Sequence, residues 1–313
     1  MSYLEKKMLR GKPYYYLVET TRLGGRRKKI RLYLGKGDLS RKELQKLIKV
    51  GGKSIKQRVE SHLRKEDPFI NIISENEEDE ITRIRKLYKS GLIKMDKISR
   101  RKYFDWFLTH FTYNTNAIEG STIKLKDAEM ILLEKVVPSN KNIREIREVE
   151  NHKDAFDFIM SYKGDVSKNF ILKLHKILFH NILGDNAGRF RKVQVFVMGA
   201  EEVPPRPQNV EEEFSKLMKW YKFNKKRYNA VVVASYMHCG FEGVHPFIDG
   251  NGRVGRLLLN FILMKNGLPP IDIKEKRRME YYGAIRSGVK GNLRYFVELV
   301  LKYMKDNILV SRS

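Results

Sequence analysis

Residues 244–264 read VHPFIDGNGRVGRLLLNFILM, and the way this stretch passes from loop into helix decides the fold. Pro246 disfavours helix for His245, and Gly250 and Gly252 open backbone conformations closed to other residues. Leu257, Leu258, Phe261 and Ile262 then recur on one apolar face. The layout is a glycine-containing turn that feeds the chain into a buried helix. The N-terminus of such a helix carries unpaired N–H groups and a partial positive charge, which suits phosphate. Arg253 and Arg256 are three apart, which predicts that both guanidiniums leave the same side of the first turn and grip phosphate oxygens. Asp249, at the mouth of the loop, is the carboxylate expected to hold a magnesium ion. Asn251 can bond a phosphate or the loop itself. His245 has an unperturbed pKa of about 6.5, close to what a general base for an alcohol requires.

Outward from this stretch the pattern is helical from Ile81 almost to the end. YFDWFLTHF (103–111), NFILKLHKILF (169–179), VEEEFSKLMKWYKF (210–223) and NLRYFVELVLKYMK (292–305) carry apolar residues at three- and four-residue steps. The exception is RFRKVQVFVMGAEEVPPRP (189–207), where Val193, Val195 and Val197 alternate before a proline cluster. It reads as one hairpin inserted in a helical domain. The single cysteine, Cys239, rules out an internal disulfide framework and fits a reducing cytoplasm, with burial as a small apolar residue its expected role. The first residues lack a secretory pattern, and no apolar run approaches the roughly 20 residues that span a bilayer, so no membrane partner is expected.

The N-terminal part differs in character. Residues 14–19 and 30–34 are β-type runs, and Gly24-Gly25 between them suits a hairpin turn. Tyr14, Tyr16 and Val18 are expected on one face, with Ile30, Leu32 and Leu34 across from them. A helix over 39–64 is expected to pack on the hairpin, capped by Ser40 with Glu43 three residues on. VGGKSIK (50–56) resembles a phosphate-binding loop only superficially, because the required first glycine falls on Leu47. Residues 1–65 hold 20 Lys and Arg against 5 Asp and Glu, a net of +15 within a total of +26. That asymmetry points to an anionic partner, either nucleic acid or an acidic protein surface. An acidic run over 75–80 follows as a solvated helix start.

The stretch HPFIDGNGRVGR resembles the signature of the Fic family and fits it at every defined position. GRFRKVQVFVMG (188–199) with the helix after it looks like that family's flap, and MEYYGAIRSGVKGNLRYFVELV (279–300) like its closing helices. The resemblance implies a mainly α fold over 102–305, a Fic-type helical domain with a β-hairpin flap. A small basic α+β module (1–67) and a helical connector (68–101) precede it, and a tail (306–313) follows.

It further implies protein adenylyltransfer with ATP and Mg2+. His245 would take a proton from a Ser, Thr or Tyr hydroxyl of a target protein, Asp249 would hold the metal, and Asn251 would meet the α-phosphate. Gly250, Gly252 and Arg253 would cradle phosphate, and Arg256 would reach the γ-phosphate. Val193, Val195 and Val197 would pair with the target as an added strand.

TNAIEG (115–120) matches the family's inhibitory pattern, with Thr115 and Glu119 one helical turn apart and Gly120 as the stop. The resemblance implies that Glu119 pairs with Arg256 and restrains the enzyme in cis; in some relatives this glutamate also serves AMP removal. One departure is Val289, where some relatives carry an Asn near the adenine, and Tyr281 and Tyr282 are as readily core aromatics. A nucleic-acid-binding regulator acting through 1–67, with the Fic domain secondary, is the alternative reading. Transfer of another phosphate-linked group is a third, disfavoured because phosphorylating members carry Lys where this chain has Gly252. A homodimer stays open.

Overall fold

The computed structural model describes residues 2–23, 26–67, 69, 72–197 and 202–310. The chain divides into two compact units, Met1–Ile72 and Ile73–Ser313.

The first unit is a three-stranded antiparallel sheet, β1 (Ser2–Leu9), β2 (Lys12–Leu23) and β3 (Arg26–Lys36) in that order, followed by α1 (Arg41–Glu66). Strand β1 was not anticipated, since SYLEKKML carries no clean alternation. It turns into β2 through Arg10 (φ 48°) and Gly11 (φ 75°), two left-handed residues that match a tight hairpin turn. The Gly24-Gly25 turn lies outside the described residues. The expected pairing of faces is corrected. Ile30, Leu32 and Leu34 join Leu17, which pairs with Leu32. Tyr14, Tyr16 and Val18 share the other face, as expected, with Tyr33 beside the two rings and Arg31 opposite Val18. A register shift between Tyr15 and Tyr16, invisible in a periodicity reading, accompanies this arrangement.

Helix α1 begins as expected, with Ser40 N–H donating to Glu43 at 2.8 Å. It packs Ile48, Ile55 and Val59 on the leucine face. Gly51 sits at the contact, where a Cβ would stand 3.0 Å from Leu34 and 3.3 Å from Leu32. Gly51 of VGGKSIK therefore serves close helix–sheet approach, whereas a Cβ on Gly52 would meet open space.

The second unit is helical: α2 (Glu75–Lys94), α3 (Lys97–Ile118), α4 (Leu125–Glu129) with a π turn after it, α5 (Ile143–Ser161), α6 (Lys168–Leu178), α7 (Val210–Asn224), α8 (Ala230–Val244), α9 (Asn251–Lys265), α10 (Arg278–Val289) and α11 (Arg294–Val310). Helix α9 is the hub, buried nearly all round and packed against α3, α5, α6 and α8. Of the expected connector (68–101), the part from Ile73 on belongs to this unit. Helix α2 packs on α11, where Glu77 takes both guanidinium branches of Arg294 at 2.8 Å. Arg294 holds the Glu77 carboxyl down at about 2. The expected tail is helical through Val310.

The expected flap hairpin is also corrected. Among the described residues neither 193–197 nor 202–206 forms a strand, and 198–201 lie outside them. Gln194 Nε2 bonds the carbonyl of Pro204 across the two arms at 3.1 Å. Pro204 and Pro205 have no N–H to give a ladder. Among the described residues no helix is long and apolar enough to cross a membrane.

Candidate active site

Helix α8 stops at His245, which takes a left-handed conformation (φ 48°, ψ 60°) and bonds back to the Phe241 carbonyl. For a residue with a Cβ this costs about 1–2 kcal/mol. Arg191 offsets that cost. Its backbone N–H donates to the Pro246 carbonyl (2.9 Å) and its Nε to the His245 carbonyl (2.8 Å). Its other branches reach the carbonyls of Val193 (3.0 Å) and Pro205 (2.6 Å), one on each flap arm.

The loop then runs over an aromatic floor. His175 stacks on Phe247 with ring centroids 3.7 Å apart, and also on Phe179. Its Nδ1 accepts the Gly188 N–H (2.8 Å), so its Nε2 carries the proton and donates to the Asp249 carbonyl (3.1 Å). Burial drives His175 down to about 4, so it stays neutral. Gly250 (φ 79°) closes the loop, and a Cβ there would fall 2.0 Å from the Phe179 ring.

The two arginines of the signature do not leave the helix together, against expectation. Arg253 lies over the Phe179 ring (4.7 Å) and bonds Glu148 of α5 at 3.2 Å and Asp249 at 3.4 Å. Arg256 turns the other way. Its Nε donates to Thr115 Oγ1 (2.6 Å), its Nη1 to the Tyr281 hydroxyl (3.1 Å), and its Nη2 to both the Thr115 carbonyl (3.1 Å) and Glu119 (2.6 Å). Each guanidinium follows its own carboxylate, and those two lie on different helices. Asn251 also faces inward, its amide spent on the N–H and carbonyl of Phe247, both at 2.9 Å.

One cavity of about 600 Å³ gathers the rest. His245, Gly252, Arg256 and Glu119 line it, with Tyr281, Tyr282 and Val289 on one wall and Val197 and Pro204 of the flap on another. Val195 is half-buried and Val193 exposed beside it. Glu119 caps α3, with Gly120 (φ 93°) ending the helix as anticipated. A Cβ on Gly252 would come within 2.2 Å of Glu119 Oε1. The carboxylate therefore rests over the first turn of α9, where the helix field favours an anion.

The His245 ring is oriented by Nδ1, 3.3 Å from the Glu242 carbonyl. Donation there leaves Nε2 with its lone pair. Burial, the largest influence, lowers the imidazole pKa from its usual value. The buried Glu242 carboxyl is pushed up to about 8 by desolvation, and its Oε2 lies 3.9 Å from His245 Nδ1.

Asp249 is the carboxylate at the mouth. Its Oδ1 accepts the Gly250 N–H (2.6 Å) and its Oδ2 bonds Arg144 (2.9 Å). Among the described residues no cluster of three His, Cys, Asp or Glu could hold a metal ion. One carboxylate supplemented by substrate phosphates is nevertheless a donor set magnesium accepts. Arg144, with a side chain 54% exposed, is free to give way.

Residues 165–263 match the model of the Fic/DOC family. The chain carries a Fic domain. A protein named protein adenylyltransferase Fic from Nematostella vectensis is 30% identical over 70% of this chain and 51% of its own length. Protein adenylyltransferase fic-1 of Caenorhabditis elegans is 35% identical over 63% of this chain and 40% of its own. The chain thus spans about half, or less, of these curated relatives. A solved structure of C. elegans Fic-1 (residues 134–508) superposes with a TM-score of 0.66 at 29% identity, covering 74% of this chain and 70% of that one.

Sequence reasoning missed the supports of the Fic loop: Arg191, His175, Glu148, Arg144 and Glu242. Only the Arg144–Glu148 pair left a local signal, its i,i+4 spacing. Cys239 is buried, as expected.

Proposed function

We propose that this chain is a protein adenylyltransferase that moves AMP from ATP to a Ser, Thr or Tyr hydroxyl of a target protein and restrains itself through Glu119. The observation that carries the reading is the shared cavity: an imidazole with a free Nε2, a buried guanidinium, and a glutamate lying where a phosphate would be favoured.

His245 Nε2 takes the hydroxyl proton. The oxygen forms a bond to the α-phosphorus, the bond from that phosphorus to the β-bridging oxygen breaks, and pyrophosphate leaves. The backbone N–H of Gly252 and the first turn of α9 face the phosphates. Arg256 meets the γ-phosphate once Glu119 yields. Magnesium, when bound, neutralises phosphate charge; Asp249 would hold it, released from Arg144.

Arg253 acts by fixing Asp249, and Asn251 by fixing the loop. Together these refine the phosphate-contact roles that the family resemblance implied. The flap around Val193, Val195 and Val197 carries the target backbone as an added strand beside it. Glu119 also stands where it could position water for AMP removal.

Incubation with α-labelled ATP and magnesium tests this. Faint labelling of protein by the wild type and strong labelling by Glu119→Gly is the expected result. No label from either form refutes the reading.

A further inference from the structure

The first unit presents a second surface, independent of the Fic site. Its sheet buries one face under α1; on the other, Val18, in register between Tyr3 and Arg31, is itself fully buried, while Tyr3, Lys29 and Tyr33 around it stay exposed. On that outer face the rings of Tyr14 and Tyr16 lean on Tyr33 at 6.2 and 5.7 Å, and Lys29 lies over the Tyr3 ring at 5.9 Å. Tyr3 and Tyr33 remain 42% and 49% exposed. Arg31 bonds Glu5 at 2.6 Å across the sheet. By alternation Arg27 joins Lys29 and Arg31 on this face, Lys7 and Lys36, both opposite Tyr14, join them from β1 and β3, and Lys12 from β2. Six cations thus meet one carboxylate, and that carboxylate is already bonded to one of them, Arg31.

We infer that this face binds duplex DNA. The complementary partner is a polyanion, and two features select the duplex among polyanions. The outer strands lie about 10 Å apart, close to the roughly 12 Å width of the B-form major groove. Lys7 on one rim and Arg27 and Lys29 on the other are therefore spaced to reach both phosphate strands. The tyrosine rings pack tilted against one another at 42° and 59°. Their faces are partly occupied by each other, which removes the flat platforms that single-stranded bases stack on. Their hydroxyls remain as neutral donors to phosphate and base edges.

The test uses the full chain and fluorescence anisotropy with a 20-base-pair mixed-sequence DNA duplex, the matching single-stranded DNA and RNA, and an acidic protein as competitor. With Arg31 held by Glu5, five phosphate contacts give a log–log salt slope of about −4.5, a loss of roughly 500-fold in affinity from 50 to 200 mM KCl. The triple variant Lys7→Ala/Arg27→Ala/Lys29→Ala is expected to reduce that loss to about twelvefold and to weaken binding at 50 mM.

The matched triple variant Lys46→Ala/Lys49→Ala/Lys53→Ala removes equal charge from the exposed side of α1. It is expected to bind as the wild type does. Labelling of protein from ATP and the melting temperature monitor folding of both variants. Equal weakening by the two triples, preference for single-stranded DNA or RNA, displacement only by the acidic protein, or no duplex binding at 50 mM would each overturn the inference.

Discussion

Replacing Glu119 by alanine is expected to weaken the resting protein and strengthen its hold on ATP at the same time. Arg256 is 2% exposed in its side chain and would lose a charge-assisted bond of 2.6 Å, keeping Thr115 and Tyr281. Such bonds contribute about 1.5–3 kcal/mol. Glu119 is itself 32% exposed, so solvent screening puts the loss at the lower end, about 1.5 kcal/mol. For a helical unit of this size that lowers the melting temperature by about 3–6 °C. On the proposed reading the same contact competes with the γ-phosphate. Its removal tightens ATP binding by a similar amount, roughly tenfold. Thermal melting without nucleotide and calorimetric titration with a non-hydrolysable ATP analogue read the two effects separately. Unchanged affinity together with a lowered melting temperature would mean that Glu119 is a structural cap and not a competitor of phosphate.

Two further outcomes follow from the loop. Burial lowers the His245 pKa, so the neutral base persists to lower pH than a free imidazole would; the acidic limb of the transfer rate, measured with the Glu119→Gly form from pH 5 to 8, should have its midpoint below about 6.5. A midpoint above that value contradicts the assignment of His245 as the base. Gly250→Ala adds left-handed strain and a collision with Phe179, and is expected to cost more than about 2 kcal/mol and abolish transfer, whereas Gly283→Ala in α10, with open space around it, should be neutral or slightly stabilising. Comparable melting of the two variants would show that the Phe179 floor does not constrain the loop.

The helices of the second unit were legible because their apolar residues keep one period over ten or more positions, and HPFIDGNGRVGR was legible as a Fic loop because it fits that signature at every defined position. What escaped was set by distant partners. The divergence of Arg253 from Arg256 depends on Glu148 and Glu119, which lie more than 100 residues upstream of them. His175 looked like any histidine on an apolar stripe until Gly188 and Asp249 met its two nitrogens. Strand β1 hid behind two central lysines, and the burial of Leu17 instead of Tyr16 followed from chain packing under α1, which a two-residue period cannot resolve.

Arg191 carries a consequence of another kind. Its side chain spreads donors over three pieces of chain, the turn at 245 and the arms at 193 and 205, and finds only carbonyls there. The flap and the imidazole are thereby bolted to one hub and travel as one part. A peptide lying along the flap would have its reach to Nε2 set by which residue it offers at that register, whatever its neighbours are. Under the proposed function such a device would tolerate many target sequences and few target shapes.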